Sequence, residues 1–190
     1  IEQLKKTDTT LIGPVEKLAF WINAYNAFTI NIVIANYPLK SIKDLGADVV
    51  IGTIFKTTIW DKDLVEINGK KMSLNDIENN IIRKSGDARV HFAMVCAAKS
   101  CPPLRNEAYE GANLNEQLDD QGQIFLSDTN KNRINFEKKE LVLSKIFDWF
   151  EEDFERDSKS VIKFIARFVP KEIADKLLSE EKEFDIDYLD

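Results

Sequence analysis

From Leu18 to Ala35 apolar side chains cover most of a helical circumference, interrupted by Asn23, Asn26 and Asn31. Pro14 and Glu16 open this pattern, which runs to about Asn36, and Pro38 stops it by crowding the preceding backbone. An element apolar on nearly every side predicts a central, buried helix. Three mid-span amides argue against a membrane span, because each would need a partner in hydrocarbon. Residues 39–60 are irregular, with a short helix expected near Lys43 and apolar residues at Val49–Phe55. Leu64–Ile67 and Lys70–Met72 flank Asn68-Gly69, whose tolerance of positive φ predicts a two-residue hairpin. Ser73-Leu74-Asn75-Asp76 then resembles a capping box, followed by Ile77, Ile81 and Ile82 on one helical face and by Gly86 as the stop.

The run Arg89–Cys96 predicts a short buried strand, and Ala97–Arg105, with Pro102 and Pro103, a loop. Asn113–Leu126 has the spacing of an amphipathic helix. Arg133–Phe136 and Glu140–Leu143 form a second hairpin candidate. Ser144 is placed to cap a helix through Phe154, with further helices near 157–168 and 171–180. The acidic tail from Ser179 is expected to dock through Phe184, Ile186, Tyr188 and Leu189. Together these elements predict an α+β fold: a helix-rich single domain with a small, largely antiparallel sheet and a central buried helix.

Composition changes this picture little. At 190 residues, 44% hydrophobic and 31% charged, the chain suits one globular domain over residues 1–190, with 156–190 as a helical appendage. A formal charge of −7 argues against a nucleic-acid partner. The sequence points instead to an unknown small molecule, a peptide or a protein partner. Because the chain opens at Ile1 without a methionine, an exported, periplasmic or cell-surface location stays open if a signal peptide was removed. Two cysteines are too few for a disulfide framework, and a single Cys96–Cys101 bridge or two free thiols both fit.

The candidate chemistry sits in VHFAMVCAAKSCPPLR, which holds the only histidine, His91, and both cysteines, Cys96 and Cys101. These are the side chains suited to nucleophilic attack, proton transfer near neutral pH and soft-metal binding. On a regular strand His91 and Cys96 face opposite sides. Cys101, in a loop stiffened by prolines, is therefore the preferred thiol to pair with His91, which would lower the thiol pKa or take its proton. The structural alternative makes Cys96 a core filler and His91 a hydrogen-bonded core histidine. Zinc would find three donors in His-x4-Cys-x4-Cys, with Glu78 or Asp87 as a fourth, but the tight Cys-x2-Cys knuckle is missing, and no metal or cofactor is expected. Asn23 and Asn26, three apart on their helix, would brace neighbouring loops or orient His91 and a substrate carbonyl. Glu78 is placed to accept from His91 or Arg105, or to stand as an ordinary helix charge. Arg83 and Arg105 would bind a substrate carboxylate or pair with an acidic neighbour.

The segments AFWINAYNAFTI, SLNDIENNIIR, ARVHFAMVCAAKSCPPLR and LVLSKIFDWFEEDF, taken in order over roughly residues 16–155, resemble the family called domain of unknown function 547. The matching positions are Trp21, Asn23, Tyr25, Asn26, Glu78, Arg83, His91, Cys96, Ser100, Cys101, Pro102 and Arg105. The resemblance implies an occurrence in bacteria, where some members are exported, and in plants. It leaves two classes side by side, an enzyme domain and an interaction module. The Cys, His and amide inventory is also distantly similar to papain and transglutaminase thiol enzymes, with His91 placed before the cysteines rather than after. Read as a thiol-dependent hydrolase or acyl-transfer enzyme on peptide or amide bonds, the chain would use Cys101 as nucleophile, His91 as base and Asn23 or Glu78 as orienting group. Asn26, Trp21, Arg83 and Arg105 would then contact substrate. Read as a scaffold, the same residues build a polar core.

Overall fold

The computed structural model describes residues 1–38, 45, 58–96 and 98–189. The short helix expected near Lys43 and the apolar run Val49–Phe55 lie outside them. The chain divides into two compact units, Ile1–Ser85 with Ala108–Ala112 and Gly86–Glu107 with Asn113–Asp190. The architecture is α+β: many short helices, a two-stranded antiparallel sheet and a three-stranded mixed sheet.

The first unit holds α1 (Glu2–Lys5), α2 (Pro14–Ala35), β1 (Val65–Ile67), β2 (Lys70–Met72) and α3 (Leu74–Ile77). Pro14 occupies the first turn of α2, where its missing N–H costs no intrahelical bond. By length and composition α2 could cross a membrane, yet half of its most apolar stretch is buried in the fold. Trp21, Ile22, Ala24, Tyr25, Phe28 and Ile32 form that buried side, and each large apolar side chain so enclosed contributes about 1.5–3 kcal/mol. In the hairpin Val65 pairs with Met72, both buried, whereas Glu66 pairs with Lys71, both exposed. Asn68 (φ 49°) and Gly69 (φ 72°) take the positive angles of the tight turn. Ser73 caps α3 in a full capping box with Asp76. The helical path then widens into a π-helical turn over Glu78–Ile82, tightens over Arg83–Ser85, and ends at Gly86 (φ 77°).

The second unit holds α4 (Val90–Ala93), α5 (Leu114–Ser127), β3 (Arg133–Asn135), β4 (Glu140–Leu143), α6 (Ile146–Trp149), α7 (Glu151–Ser158), α8 (Val161–Ile165), α9 (Lys171–Ser179) and β5 (Asp185–Tyr188). Its core is rich in phenylalanine. The Phe92 ring lies 5.4–6.2 Å from those of Phe125, Phe147, Phe154, Phe164 and Phe168. Gly122 on α5 permits this approach: a Cβ there would stand 2.7 Å from Phe168 and 3.1 Å from Phe92. The sheet runs β3-β4-β5, with β3 antiparallel and β5 parallel to β4. Leu141 and Leu143 of β4 turn inward, as period-two alternation requires.

Two expectations change, and a third, the docking of the tail, is met in a form the sequence did not specify. Arg89–Cys96 is not a strand. Val90–Ala93 is one short helical turn, entered through consecutive turn hydrogen bonds from Val90, His91 and Phe92 to Asp87, Ala88 and Arg89. Val90–Met94 is buried on every side, so this short run carries no period to separate strand from helix, and packing decides. The side-chain alternation expected for His91 and Cys96 falls with the strand. The helix expected from Ser144 through Phe154 is two helices, α6 and α7, broken at Phe150 (φ −124°, ψ 27°). The tail docks as a strand, Asp185–Tyr188, with the Leu189 N–H continuing the ladder to the Leu143 carbonyl at 2.8 Å.

Candidate functional site

Asp87 shapes the entry to α4. Its carboxylate accepts from the Arg89 N–H at 3.0 Å, a local turn bond that competes with extended backbone. The Arg89 guanidinium returns to Asp87 through Nε and Nη2 and reaches Asp119 on α5 at 2.7 Å. Hydrogen bonds to Asp87, and then to Asp119, push its pKa upward, so it is a fixed cation that ties α4 to α5.

On that turn His91 is 3% exposed. Its Nε2 lies 2.8 Å from an Asp153 oxygen. An ionised carboxylate only accepts, so Nε2 carries the hydrogen. The other Asp153 oxygen accepts from Arg156 at 2.8 Å. The imidazole stacks on Phe150 at 4.0 Å and leans on Phe154 at 5.4 Å. Asp153, Arg156 and Phe150 were not singled out from the sequence. The available signal was an aspartate one position from buried Phe154 and three from Phe150, on the apolar side of an otherwise acidic helix.

Cys96 and Cys101 are joined by a disulfide, with Cα atoms 6.2 Å apart. In this oxidised state neither sulfur is a thiolate, so no thiol stands ready for His91. The loop that carries Cys101 is held by its backbone. Lys131 donates to the Cys101 carbonyl at 2.7 Å, Ser144 to the Ser100 carbonyl at 2.6 Å, and Gln121 to the Pro103 carbonyl at 2.6 Å. Asn132 accepts from the Ser144 N–H at 3.1 Å and donates to the Phe125 carbonyl at 2.9 Å, extending the network into α5. Arg105 pairs with Glu107 and Asp120, the acidic-neighbour alternative.

The remaining candidates belong to the first unit. Asn23 braces a distant segment, donating to the Tyr109 carbonyl at 2.7 Å and accepting from the Tyr109 N–H at 2.9 Å. Glu78 is buried and accepts from the Tyr25 hydroxyl at 3.1 Å. Burial, then the charge of Glu78 and the hydrogen bond to it, raise the Tyr25 phenol well above its ordinary range, so Tyr25 stays a donor. Asn26 is buried, and Arg83 donates to Asn79 at 2.6 Å. Trp21 is buried, and its indole N–H finds no acceptor among the described residues.

The structure therefore sorts the candidates by unit. His91, Cys96, Cys101 and Arg105 share the second, while Trp21, Asn23, Asn26, Glu78 and Arg83 lie in the first. Among the described residues no group of three or more His, Cys, Asp and Glu side chains is arranged to hold a metal ion. The family described as Protein of unknown function, DUF547, matches residues 10–126. No curated protein and no solved structure matches the chain.

Proposed function

We propose, for a chain that belongs to the DUF547 family, a non-catalytic role as a protein-interaction domain whose His–Cys segment acts as an internal brace. The observation that carries this reading is the Cys96–Cys101 disulfide, set in a loop whose carbonyls are taken by Lys131, Ser144 and Gln121. His91 adds to it: a buried imidazole between Asp153 and Phe150 orders α4 and α7. A persistent disulfide fits an oxidising compartment, which supports an exported location.

A second reading rests on the His91–Asp153 contact, since a carboxylate that orients an imidazole is also the arrangement of a general base. In it, reduction would free Cys101 as the nucleophile of a hydrolase or acyl-transfer enzyme on peptide or amide bonds. His91 would serve as base and Asp153 as its orienting group, all within the second unit.

Alkylation by iodoacetamide, mapped to peptides before and after reduction, separates the two. For the brace, both sulfurs are inert until reduced. They then react with the profile of ordinary thiols titrating near about pH 8.5, unchanged in His91→Ala. A reduced Cys101 that alkylates rapidly at about pH 6, and loses that behaviour in His91→Ala, would overturn the brace in favour of the enzyme.

A further inference from the structure

The Cys96–Cys101 bridge joins two segments that the fold already holds by other means. On the α4 side, Arg89 binds Asp87 and reaches Asp119 on α5, while His91 binds Asp153 on α7. On the loop side, the carbonyls of Ser100, Cys101 and Pro103 accept from Ser144, Lys131 and Gln121. The Cys101 N–H adds a turn bond to the Ala98 carbonyl at 3.2 Å. None of these contacts uses sulfur. Breaking the S–S bond therefore leaves the two side chains facing each other on backbones whose Cα atoms stand 6.2 Å apart, a spacing at which a bridge closes without backbone movement.

The two cysteines differ in access. Cys101 is 4% exposed and belongs to the core cluster that holds Phe92, Phe125 and Phe147. Cys96 packs against that cluster but is only half-buried, so part of its surface meets solvent. Thiol–disulfide exchange needs a thiolate to reach one sulfur while the other leaves, and its rate follows access to the sulfur attacked. Approach from solvent is open at Cys96 and closed at Cys101.

We infer that the bridge opens and recloses within the folded chain, and that Cys96 is its exchange sulfur, taking a mixed disulfide with a low-molecular-weight thiol of the glutathione class. The inference rests on the brace reading and adds the regulation of that brace. A thiolate RS⁻ attacks the Cys96 sulfur; a Cys96–SR bond forms, the Cys96–Cys101 bond breaks, and its electron pair leaves on the Cys101 sulfur. That thiolate has two exits. It attacks Cys96 again and expels RS⁻, which restores the bridge. Otherwise it takes a proton from water, and a second RS⁻ attacks the sulfur of the R group, releasing RSSR and the Cys96 thiolate. The net reaction turns the bridge and two external thiols into one RSSR and two protein thiols. Apolar surroundings disfavour a thiolate on Cys101, and the held loop keeps Cys96 beside it, so the first exit is the faster. The brace thus survives brief contact with thiol and opens under a sustained excess.

The test uses the whole chain under native conditions, with glutathione as the probe and mass mapping of peptides as the readout. In Cys101→Ser, oxidised glutathione is expected to cap Cys96. In Cys96→Ser it caps Cys101 at least about tenfold more slowly, until urea unfolds the chain and the two rates converge. The unsubstituted chain gives the same order without relying on either variant. Reduced by a phosphine, it is labelled by a short iodoacetamide pulse at Cys96 before Cys101, keeps the amide shifts of His91 and Ser100, and recloses when oxidised glutathione replaces the phosphine. Equal or faster labelling of Cys101 in the folded chain overturns the inference. So does a bridge that neither glutathione nor phosphine opens short of unfolding, or a reduced loop that loses its amide shifts and does not reclose. Each of these leaves the brace reading to stand. That reading fails separately, on a His91-dependent activated thiol in the alkylation assay.

Discussion

At the scale of single residues the buried polar groups carry the most energy per atom. His91, Asp153 and Arg156 form a chain of charge-assisted contacts at 2.8 Å. Removing its central carboxylate in Asp153→Ala leaves a buried imidazole N–H without its acceptor and is expected to lower unfolding free energy by about 1–3 kcal/mol. Asp153→Asn, whose amide oxygen still accepts, loses less; urea unfolding of both variants measures the difference. Tyr25 gives a pH prediction. Its phenol pKa is held well above the ordinary 10.0 in the folded chain. The unfolded chain therefore releases this proton first as pH rises, and unfolding is favoured. The contribution is fully present below about pH 10 and is lost as pH climbs from there through the folded pKa. Tyr25→Phe should flatten that part of the alkaline limb, and a denaturation series on the two proteins reads it directly.

Elements differ in how far their residues dictate them. The first hairpin was legible because Asn68-Gly69 fixes a local backbone geometry and Val65, Ile67 and Met72 alternate with charged neighbours. The Ser73 capping box and the Gly86 stop were legible for the same reason: each is a bond or dihedral within a few residues. Arg89–Cys96 was not, since a short run whose one interior polar residue, His91, marks no period fits two backbones equally, and Asp87 with Arg89 tipped it into a turn. Gly122 is an element-scale requirement invisible in the pattern of α5, because the crowding comes from Phe168 and Phe92. Gly122→Ala improves intrinsic helix propensity, yet overpacking is expected to cost a net ~1–3 kcal/mol. A fall in the urea midpoint at unchanged slope would verify this, and a rise would mean that the phenylalanines yield.

Over the whole molecule, the chain passes through two compact units, with Ala108–Ala112 grouped with the first although its neighbours in sequence belong to the second. Asn23 is the reason in part, gripping both backbone groups of Tyr109 across 86 positions. The Cys96–Cys101 bridge closes a short loop, at a separation of 5, so its effect on the unfolded ensemble is modest. Reduction by a phosphine is expected to lower stability by about 2 kcal/mol, seen as a lower denaturation midpoint that Cys96→Ser with Cys101→Ser reproduces. A much larger loss would mean that the bridge also holds native packing that Lys131 and Ser144 cannot.

By itself the sequence determined what depends on neighbours within a few positions: the span of α2, both hairpins, the caps and stops, the acidic balance, and the segment in which His91 and the cysteines cluster. The tertiary structure alone decided what depends on positions far apart. It brought Asp153 to His91 across 62 residues, laid the tail parallel to β4, and left β3 as an edge beside an apolar groove. The physical reason is that turn, cap and helix geometries are set by local dihedrals and by hydrogen bonds within a turn or two. A buried pair or a sheet order is instead set by which apolar surfaces close together, and that choice is shared by the whole core.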